Sequence, residues 1–181
     1  MNVAICEYGA GNVRSVRIAF ERLGSRITGS VLDADLAVLP GVGSARAAMA
    51  GLRARGHDAA LRTRFAENRP ILGICLGLQL ALEETEEDGG VPGLGLLPGR
   101  AIRLREGRVP RMGWAEVPGR GTFYFAHSYA ADTPCATAWS EGVVAEARSG
   151  SFYGCQFHPE KSGERGASYL EEALELCLSR A

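Results

Sequence analysis

Residues 70–84 read Pro-Ile-Leu-Gly-Ile-Cys-Leu-Gly-Leu-Gln-Leu-Ala-Leu-Glu-Glu, and they place a cysteine between an apolar strand and a helix. Pro70 opens the predicted strand Ile71–Ile74, and residues 78–84 continue as helix. The glycines at 73 and 77 allow the backbone to turn sharply, so the side chain of Cys75 projects from the top of a sheet. This elbow is typical of a nucleophile, although a structural cysteine between glycines is the alternative interpretation at this point.

The rest of the first half alternates short apolar strands with helices. Strands are predicted at residues 3–6, 26–31 and 36–39, and helices at residues 13–23, at 45–52 after an N-cap at Ser44, and at 58–67. This alternation predicts an α/β fold with a mostly parallel central sheet and helices on both faces. Binding sites in such sheets form beyond the carboxyl ends of the strands, where Cys75 and Pro40-Gly41-Val42-Gly43 both lie.

The second half changes character after an acidic, glycine-ended loop at residues 83–90. Strand candidates follow at residues 101–104, 122–126, 136–139, 143–147 and 152–157, and residues 166–178 form a closing amphipathic helix. The spacing of these strands predicts an antiparallel or mixed extension of the sheet. Because no repeat, low-complexity tract or interdomain linker interrupts the chain, residues 1–181 are predicted to form a single domain.

Composition excludes several classes of protein. A net charge of −1 and a charged fraction of 23% give no sign of nucleic acid or of an anionic membrane as partner. The sequence contains no apolar run of membrane-spanning length, and the first residues lack a basic segment, so a cytoplasmic location is expected. The five cysteines are odd in number and none is paired at a two-residue gap, which argues against a disulfide framework or a zinc site.

A second chemical signal is Phe157-His158-Pro159-Glu160. Proline at 159 favours extended backbone at His158, and residues two apart in an extended chain face the same side. The carboxylate of Glu160 can therefore orient the imidazole and stabilise its protonated form. His57 is interpreted as a turn or cap residue, while His127 remains the competing candidate for a base. Cysteine, histidine and glutamate in this order indicate a thiol acyl-transfer triad.

Pro40-Gly41-Val42-Gly43 is the third signal, because glycines on both sides of Val42 free its backbone to present an amide to an oxyanion. An ordinary strand-to-helix turn is the alternative interpretation. The other glycine-rich segments lack the spacing of a dinucleotide-binding fingerprint, and no phosphate-binding loop is present. No metal-ligand constellation is present either, so the sequence predicts neither a cofactor nor a metal.

With these motifs in order, the sequence resembles the class I (triad) glutamine amidotransferases, through residues 73–79 (Gly-Ile-Cys-Leu-Gly-Leu-Gln) and 156–160 (Gln-Phe-His-Pro-Glu). Within that class it is similar to the glutaminase subunits of imidazole glycerol phosphate synthase. The narrower resemblance rests on Tyr-Gly-Ala-Gly-Asn at 8–12, Pro-Gly-Val-Gly at 40–43, Met-Gly-Trp at 112–114, His-Ser-Tyr at 127–129 and His-Pro-Glu-Lys-Ser-Gly at 158–163. These motifs span nearly the whole chain.

The resemblance implies hydrolysis of L-glutamine to glutamate and ammonia through a thioester on Cys75, with His158 moving protons and Glu160 orienting it. It implies backbone donors to the oxyanion at Val42, Gly43 and Leu76. It implies glutamine binding by Gln79, Ser128 and Tyr129. Positions at a partner interface are implied for Asn12, Trp114, Tyr124 and Lys161, the only lysine in the sequence. The partner would be a (β/α)₈ cyclase subunit, which receives the ammonia for histidine biosynthesis.

Two departures from the family pattern lie near that interface. Arg111 stands where histidine usually precedes Met-Gly-Trp, and Ala115 follows the tryptophan where asparagine is usual. Glu7 also replaces a common aspartate. Three other functions remain open at this stage: a glutaminase that serves another synthase, a cysteine peptidase or thioesterase on a related sheet, and a non-catalytic module that binds a partner.

Overall fold

The computed structural model of the protein describes residues 1–9 and 12–178, so the middle of the predicted turn at residues 8–12 lies outside the described residues. Its helices are α1 (Val13–Arg22), α2 (Ala45–Ala54), α3 (His57–Ala66), α4 (Leu76–Ala81) and α5 (Gly163–Leu178). Short 3₁₀ turns cover Glu87–Gly89 and Pro159–Lys161. None of the helices in the described ranges has the length and hydrophobicity needed to cross a membrane.

The strands are β1 (Asn2–Ile5), β2 (Arg26–Thr28), β3 (Leu36–Leu39), β4 (Ile71–Ile74), β5 (Glu84–Thr85), β6 (Val91–Pro92), β7 (Arg100–Arg103), β8 (Arg111–Val117), β9 (Gly121–His127), β10 (Tyr129–Asp132), β11 (Ala136–Ser140), β12 (Val143–Ser149) and β13 (Phe152–Cys155). The main sheet has the order β11-β12-β13-β4-β3-β1-β2. From β13 to β2 its strands are parallel, and β12 and β11 continue it antiparallel. The carboxyl ends of β3 and β4 therefore lie side by side, next to β13.

Alternate residues of the central strands pack into two hydrophobic clusters, one on each face of the sheet. One face packs Ala4, Ala37, Leu39 and Ile71 with Met49 and Leu52 of α2 and Leu61 of α3. The other packs Val3, Ile5, Leu36, Val38, Leu72 and Ile74 with Val16 and Phe20 of α1 and Leu170 and Leu174 of α5. Since β3 and β4 are buried on both faces, they carry unbroken apolar runs, as a central parallel strand requires.

The predicted fold class is confirmed, and the second half differs in detail. Residues 136–139, 143–147 and 152–157 do supply strands of the main sheet, but β7 and β9 belong to two smaller sheets. Their partners, β10 and β8, were not among the predicted strands. Strand β8 was not predicted because a half-buried strand is expected to bury its large hydrophobic side chains. In β8 these side chains, Met112 and Trp114, are exposed instead.

Several predicted boundaries were wrong: the closing helix begins at Gly163 rather than at residue 166, and the last strand ends at Cys155 rather than at residue 157. The helix after Cys75 covers Leu76–Ala81 rather than residues 78–84, because backbone amides of residues 94–97 bond to the carbonyls of its last turn and residues 84–85 turn away as β5. The strand predicted at 26–31 stops at Thr28, where its pairing with β1 ends. Ser30 and Asp33 then form a turn through a 2.5 Å hydrogen bond between their side chains. Ser44 does cap α2, accepting from the amide of Ala47.

Arg64 on α3 is fully buried, which the sequence pattern did not predict. Its guanidinium donates to the main-chain carbonyl oxygens of residues 31, 32, 34, 35 and 70 at 2.7–3.1 Å. Burial, followed by the charge of Arg69, lowers the pKa of Arg64 to about 10, so the group remains charged at neutral pH. Arg64 thus connects α3 to the segments that immediately precede β3 and β4. These bonds help to fix the position of the two strands that carry the site.

We expect Arg64→Met to destabilise the fold by about 3 kcal/mol, because it leaves several buried carbonyl oxygens without their charged donor. Denaturant unfolding followed by circular dichroism measures the change. Arg53→Met, on the exposed surface of α2, is the matched control and should stay within about 0.5 kcal/mol of the parent. Equal unfolding free energies for the two variants would contradict this role of Arg64.

Candidate active site

Cys75 occupies a sharp turn between β4 and α4, with φ 53° and ψ −106°. A non-glycine residue in this region of backbone space is strained by roughly 1–3 kcal/mol and persists only when its surroundings hold it. The amide of Cys75 donates to the carbonyl of Cys155 at 2.7 Å, and its own carbonyl accepts from the amides of Leu78 and Gln79. These bonds fix the turn, and they place the thiol at the carboxyl end of the sheet, as predicted.

The glycines of the elbow are required by close packing against the neighbouring strand. A side chain at Gly77 would collide with the carbonyl oxygen of Leu39, which ends β3. A Cβ on Gly41 would lie 2.7 Å from the amide nitrogen of Gly77 and against the side chain of Leu76. The segment 40–43 is therefore pressed directly onto the start of α4. Two motifs that lie 30 residues apart in sequence form one structure around Cys75.

His158 and Glu160 form a buried ion pair beside this elbow. Nδ1 of His158 lies 2.9 Å from Oε1 of Glu160, and each side chain is only 1% exposed. His158 is extended, as the following proline predicted, and its backbone is held by the carbonyl of Tyr124 and the hydroxyl of Ser162. Glu160 itself lies in the 3₁₀ turn Pro159–Lys161, so the expectation of an extended chain through Glu160 was wrong in geometry, although the two side chains meet as predicted.

The charge environment keeps His158 basic. Burial by itself lowers the pKa of His158, but the sulfur of Cys75 and the carboxylate of Glu160 outweigh burial and raise it to about 9. Because Nδ1–H donates to Glu160, Nε2 is the nitrogen of His158 that exchanges a proton with other groups. The imidazole also interacts with the sulfur of Cys75, which is one cause of its raised pKa. The pair can therefore take a proton from a thiol and return it to a leaving group.

His127, the competing candidate, is in a different environment. Its Nδ1 donates to the carbonyl of Tyr129 at 2.9 Å, a neutral acceptor rather than a carboxylate. Burial is the main reason that its pKa falls to about 4, and the nearby charges of Arg111 and His158 lower it further. His127 is therefore neutral at physiological pH and lacks the acidic partner of His158, so the geometry favours His158 as the base.

The three residues predicted to supply oxyanion donors lie around the elbow. Leu76 is the first residue of α4, so its amide has no acceptor within that helix. Val42 and Gly43 belong to the segment that packs on Gly77. Tyr8, to which the sequence assigned no role, holds this segment: its buried hydroxyl donates to the carbonyl of Pro40 at 2.7 Å. Burial, followed by the charge of Cys75, raises the pKa of Tyr8, while the backbone amide of Val42 beside the hydroxyl acts in the opposite direction.

Two of the three predicted glutamine-binding residues meet in the structure. The side-chain amide of Gln79 donates to the backbone carbonyl of Tyr129 at 2.7 Å, and Ser128 is the half-buried neighbour of Tyr129. Gln79 also donates to Oε1 of Gln156 at 3.1 Å, and Nε2 of Gln156 donates to the sulfur of Cys75 at 3.4 Å. The sequence assigned no role to Gln156 beyond its place in the motif at 156–160. Its contact with Cys75 joins residues 81 apart in sequence, which no local pattern could show.

Three of the four predicted interface residues form one cluster. Trp114 is 60% exposed and packs edge-on against Tyr124, with ring centroids 6.0 Å apart. The ammonium of Lys161 lies 5.8 Å from the Tyr124 ring centroid. Asn12 lies immediately before α1, and its side chain does not cap that helix. The cluster borders the catalytic side, because Tyr124 also bonds to the amide of His158 through its carbonyl.

The side chain of Arg111, which replaces the histidine usual in the family, points into the protein. Its side chain is 14% exposed, lies over the Phe125 ring at 4.3 Å and bonds to Ser140 and Glu141 of the neighbouring strand and turn. Ala115 is partly buried against the core cluster that contains Phe125.

Within the ranges that the structure describes, no group of three or more histidine, cysteine, aspartate or glutamate side chains is arranged to hold a metal ion.

Comparisons with known proteins agree with this arrangement. The family model described as "Glutamine amidotransferase class-I" matches residues 13–176. The imidazole glycerol phosphate synthase subunit HisH of Moorella thermoacetica is 41% identical, with 96% of this chain and 94% of that protein covered. The subunit of the same name from Methanothermobacter thermautotrophicus is 39% identical, with 96% and 98% covered. The chloroplastic imidazole glycerol phosphate synthase hisHF of Arabidopsis thaliana is 40% identical, and the match covers 95% of this chain and 34% of that one.

Solved structures share the fold at lower identity. A crystal structure of a glutamine amidotransferase has a TM-score of 0.76 and 23% identity, with 97% of this chain and 98% of that chain covered. The structure of PurLQS from Thermotoga maritima has a TM-score of 0.73 and 18% identity, with 97% and 98% covered. At these identities the likeness shows the architecture of the sheet and its helices, and nothing about the substrate.

Proposed function

The chain belongs to the class-I glutamine amidotransferases, and from that membership and its relatives we infer that it is the glutaminase subunit of imidazole glycerol phosphate synthase in histidine biosynthesis. Residues 1–181 are proposed to form one glutaminase domain. The observation that carries the proposal is the geometry of Cys75. Its strained elbow directs the sulfur toward Gln156 and the carbonyl of Ala126, beside the buried pair of His158 and Glu160.

We propose that the reaction begins when the thiol proton of Cys75 passes to Nε2 of His158. The thiolate then attacks the side-chain amide carbon of glutamine, and the carbonyl oxygen becomes an anion. The amides of Leu76 and of the Val42–Gly43 segment donate to this oxyanion. His158 gives its proton to the departing nitrogen, so ammonia leaves and a thioester remains.

The same groups serve the second half of the reaction. Nε2 of His158 accepts a proton from water, and the resulting hydroxide attacks the thioester carbon. The tetrahedral intermediate collapses, the carbon–sulfur bond breaks, and glutamate leaves while Cys75 recovers its proton from His158. Glu160 keeps Nδ1 protonated throughout, so the imidazole always presents its basic nitrogen to the sulfur. We assign Gln79, Ser128 and Tyr129 to glutamine binding, since the hydrogen bond from Gln79 to the carbonyl of Tyr129 brings them together near the elbow.

Ammonia is proposed to pass to a (β/α)₈ cyclase subunit in a heterodimer. Large exposed hydrophobic side chains support this, because Met112 and Trp114 project from β8 at 63% and 60% exposure. Trp114 packs against Tyr124, whose ring also faces Lys161. A relative in which the matching part makes up 34% of a longer chain also supports a close association of the two activities. The Tyr8 hydroxyl holds the segment that carries Val42 through the carbonyl of Pro40, and we propose that the free subunit lacks a complete set of oxyanion donors and is activated by its partner.

The test is ammonia and glutamate release from glutamine by the purified chain, measured alone and with a cyclase subunit carrying its nucleotide ligand. We expect slow release from the chain alone and faster release, by about tenfold or more, with the liganded partner, as a completed oxyanion hole provides. Release without any response to that partner would assign the chain to another synthase. Absence of release under both conditions would favour a non-catalytic module, and full activity of the chain alone would contradict partner activation.

A further inference from the structure

The sequence contains only two glutamines, Gln79 and Gln156, and they are hydrogen-bonded to each other beside the nucleophile. Both are buried, at 4% and 0% exposure. Gln156 takes no part in the mechanism above, yet its side-chain amide donates to the sulfur of Cys75 at 3.4 Å. A fully buried amide aimed at a reacting atom requires a chemical explanation, since an apolar side chain would fill the same space without a polar group to satisfy.

The orientation of both amides is determined by a backbone carbonyl. The oxygen of Tyr129 can only accept, so Gln79 must present its NH₂ group there, at 2.7 Å. The same NH₂ group lies 3.1 Å from the Gln156 amide, which must therefore present its oxygen to Gln79. The NH₂ group of Gln156 is then directed at Cys75. Flipping either amide would place two donors or two acceptors face to face, so the chain of bonds delivers a donor to the sulfur.

The placement of Gln156 follows from the strand that precedes it. Gln156 and His158 are two residues apart, and Phe157 between them stacks on Phe123 with ring centroids 4.0 Å apart. The amide of Gln156 donates to the carbonyl of Ala145 on β12, which fixes the backbone. A single short segment after β13 thus presents both the amide and the imidazole to Cys75.

We propose that Gln156 is a further catalytic residue, whose side-chain N–H stabilises the Cys75 thiolate and whose orientation is set by Gln79; the proposal rests on the glutaminase function inferred above. The bond acts twice in the reaction. It stabilises the sulfur anion after its proton has moved to His158. It does so again when water has added to the thioester and the tetrahedral intermediate collapses, breaking the carbon–sulfur bond and releasing the thiolate. Because Gln79 is also assigned to the substrate, the pair connects the glutamine site with the nucleophile.

Gln156→Glu is the most direct test. It keeps the side-chain size and the oxygen that accepts the hydrogen bond from Gln79, but it replaces the NH₂ group that faces the sulfur with an oxygen. We expect iodoacetamide to alkylate Cys75 about tenfold more slowly than in the parent at neutral pH, since a hydrogen bond to a charged group is lost and repulsion replaces it. The difference should narrow at acidic pH, where the introduced carboxyl is protonated and again offers a donor. A packing defect would not produce this dependence on pH.

Gln156→Met is the matched variant, because it removes the donor without adding a charge, and it should slow alkylation by a smaller factor with little dependence on pH. Peptide mapping assigns the alkylated cysteine, and near-ultraviolet circular dichroism reports the fold of each variant. Wild-type alkylation rates in both folded variants would overturn the proposal. So would a parent Cys75 that reacts no faster than the same cysteine in the urea-unfolded chain.

A measurement on the unmodified chain does not depend on whether the variants fold. Selective ¹⁵N labelling of glutamine side chains gives two pairs of amide resonances, and one pair should shift as Cys75 becomes a thiolate. That shift should disappear in Cys75→Ala, and its persistence there would also overturn the proposal. Neither alkylation nor resonance shifts require glutamine or a partner. A failure to release ammonia would therefore contradict the proposed function alone, and unchanged alkylation would contradict the role of Gln156 alone.

Discussion

Cys75→Ala is expected to reduce glutamine-dependent ammonia release by about 10⁴-fold or more, because the thioester cannot form without the sulfur and the remaining donors stabilise only a direct attack by water. The purified chain, saturated with a liganded cyclase subunit, is assayed for glutamate formation. The substitution should leave the backbone strain at residue 75 almost unchanged, because alanine, like cysteine, carries a Cβ. Thermal unfolding should therefore remain close to that of the parent.

Cys135→Ala is the matched control, because Cys135 is a partly buried free cysteine outside the elbow, and its backbone bonds to Thr133 and Arg148 rather than to the site. It should retain nearly full glutaminase activity. Supplying ammonium salt in place of glutamine should restore product formation by the complex that contains Cys75→Ala, since only the source of ammonia is lost. Glutamate formation by Cys75→Ala within tenfold of the parent rate would rule out a covalent role for Cys75.

The sequence could place the proposed reacting groups because each depends on a short local pattern. Glycines around Cys75 specify a turn, and proline after His158 specifies extended backbone, so both elements could be placed before any contact was known. The alternation of strands and helices over residues 1–81 predicted the parallel sheet for the same reason. The local pattern at residues 158–160 was only partly sufficient, because Glu160 reaches His158 through a 3₁₀ turn rather than through an extended strand.

Contacts between distant segments account for what the sequence did not predict. Arg64 belongs to a residue type that is ordinarily solvated, and only the convergence of five carbonyls around it explains its burial. Tyr8 and Gln156 act through bonds that span 32 and 81 residues. The strand β8 lacks the apolar alternation of a half-buried strand, since it presents Met112 and Trp114 outward. Such an outward face is understandable for a surface that meets a partner rather than the core.

Glu160→Gln tests how the imidazole is held. The substitution preserves shape but removes the charge, and the new amide can donate to Nδ1 and so favour the tautomer that carries its proton on Nε2. We expect kcat to fall on the order of 10³-fold, since His158 can then no longer take the thiol proton. KM for glutamine should change little, because Glu160 contacts His158 and not the substrate site. Glu164→Gln, an exposed change in the first turn of α5, is the matched control and should keep the parent kcat.

The same variant should show a characteristic dependence of stability on pH. Burial lowers the pKa of His158, but Cys75 and Glu160 together raise it to about 9, above the value of about 6.5 for an unfolded chain. A group with a raised pKa stabilises the fold fully below about pH 6.5, and this contribution is lost as the pH rises through about 9. The parent should therefore unfold at a higher temperature than Glu160→Gln at pH 6, and the difference should shrink toward pH 9. A constant difference across this range, or a kcat within tenfold of the parent, would show that Glu160 does not act through the charge and tautomer of His158.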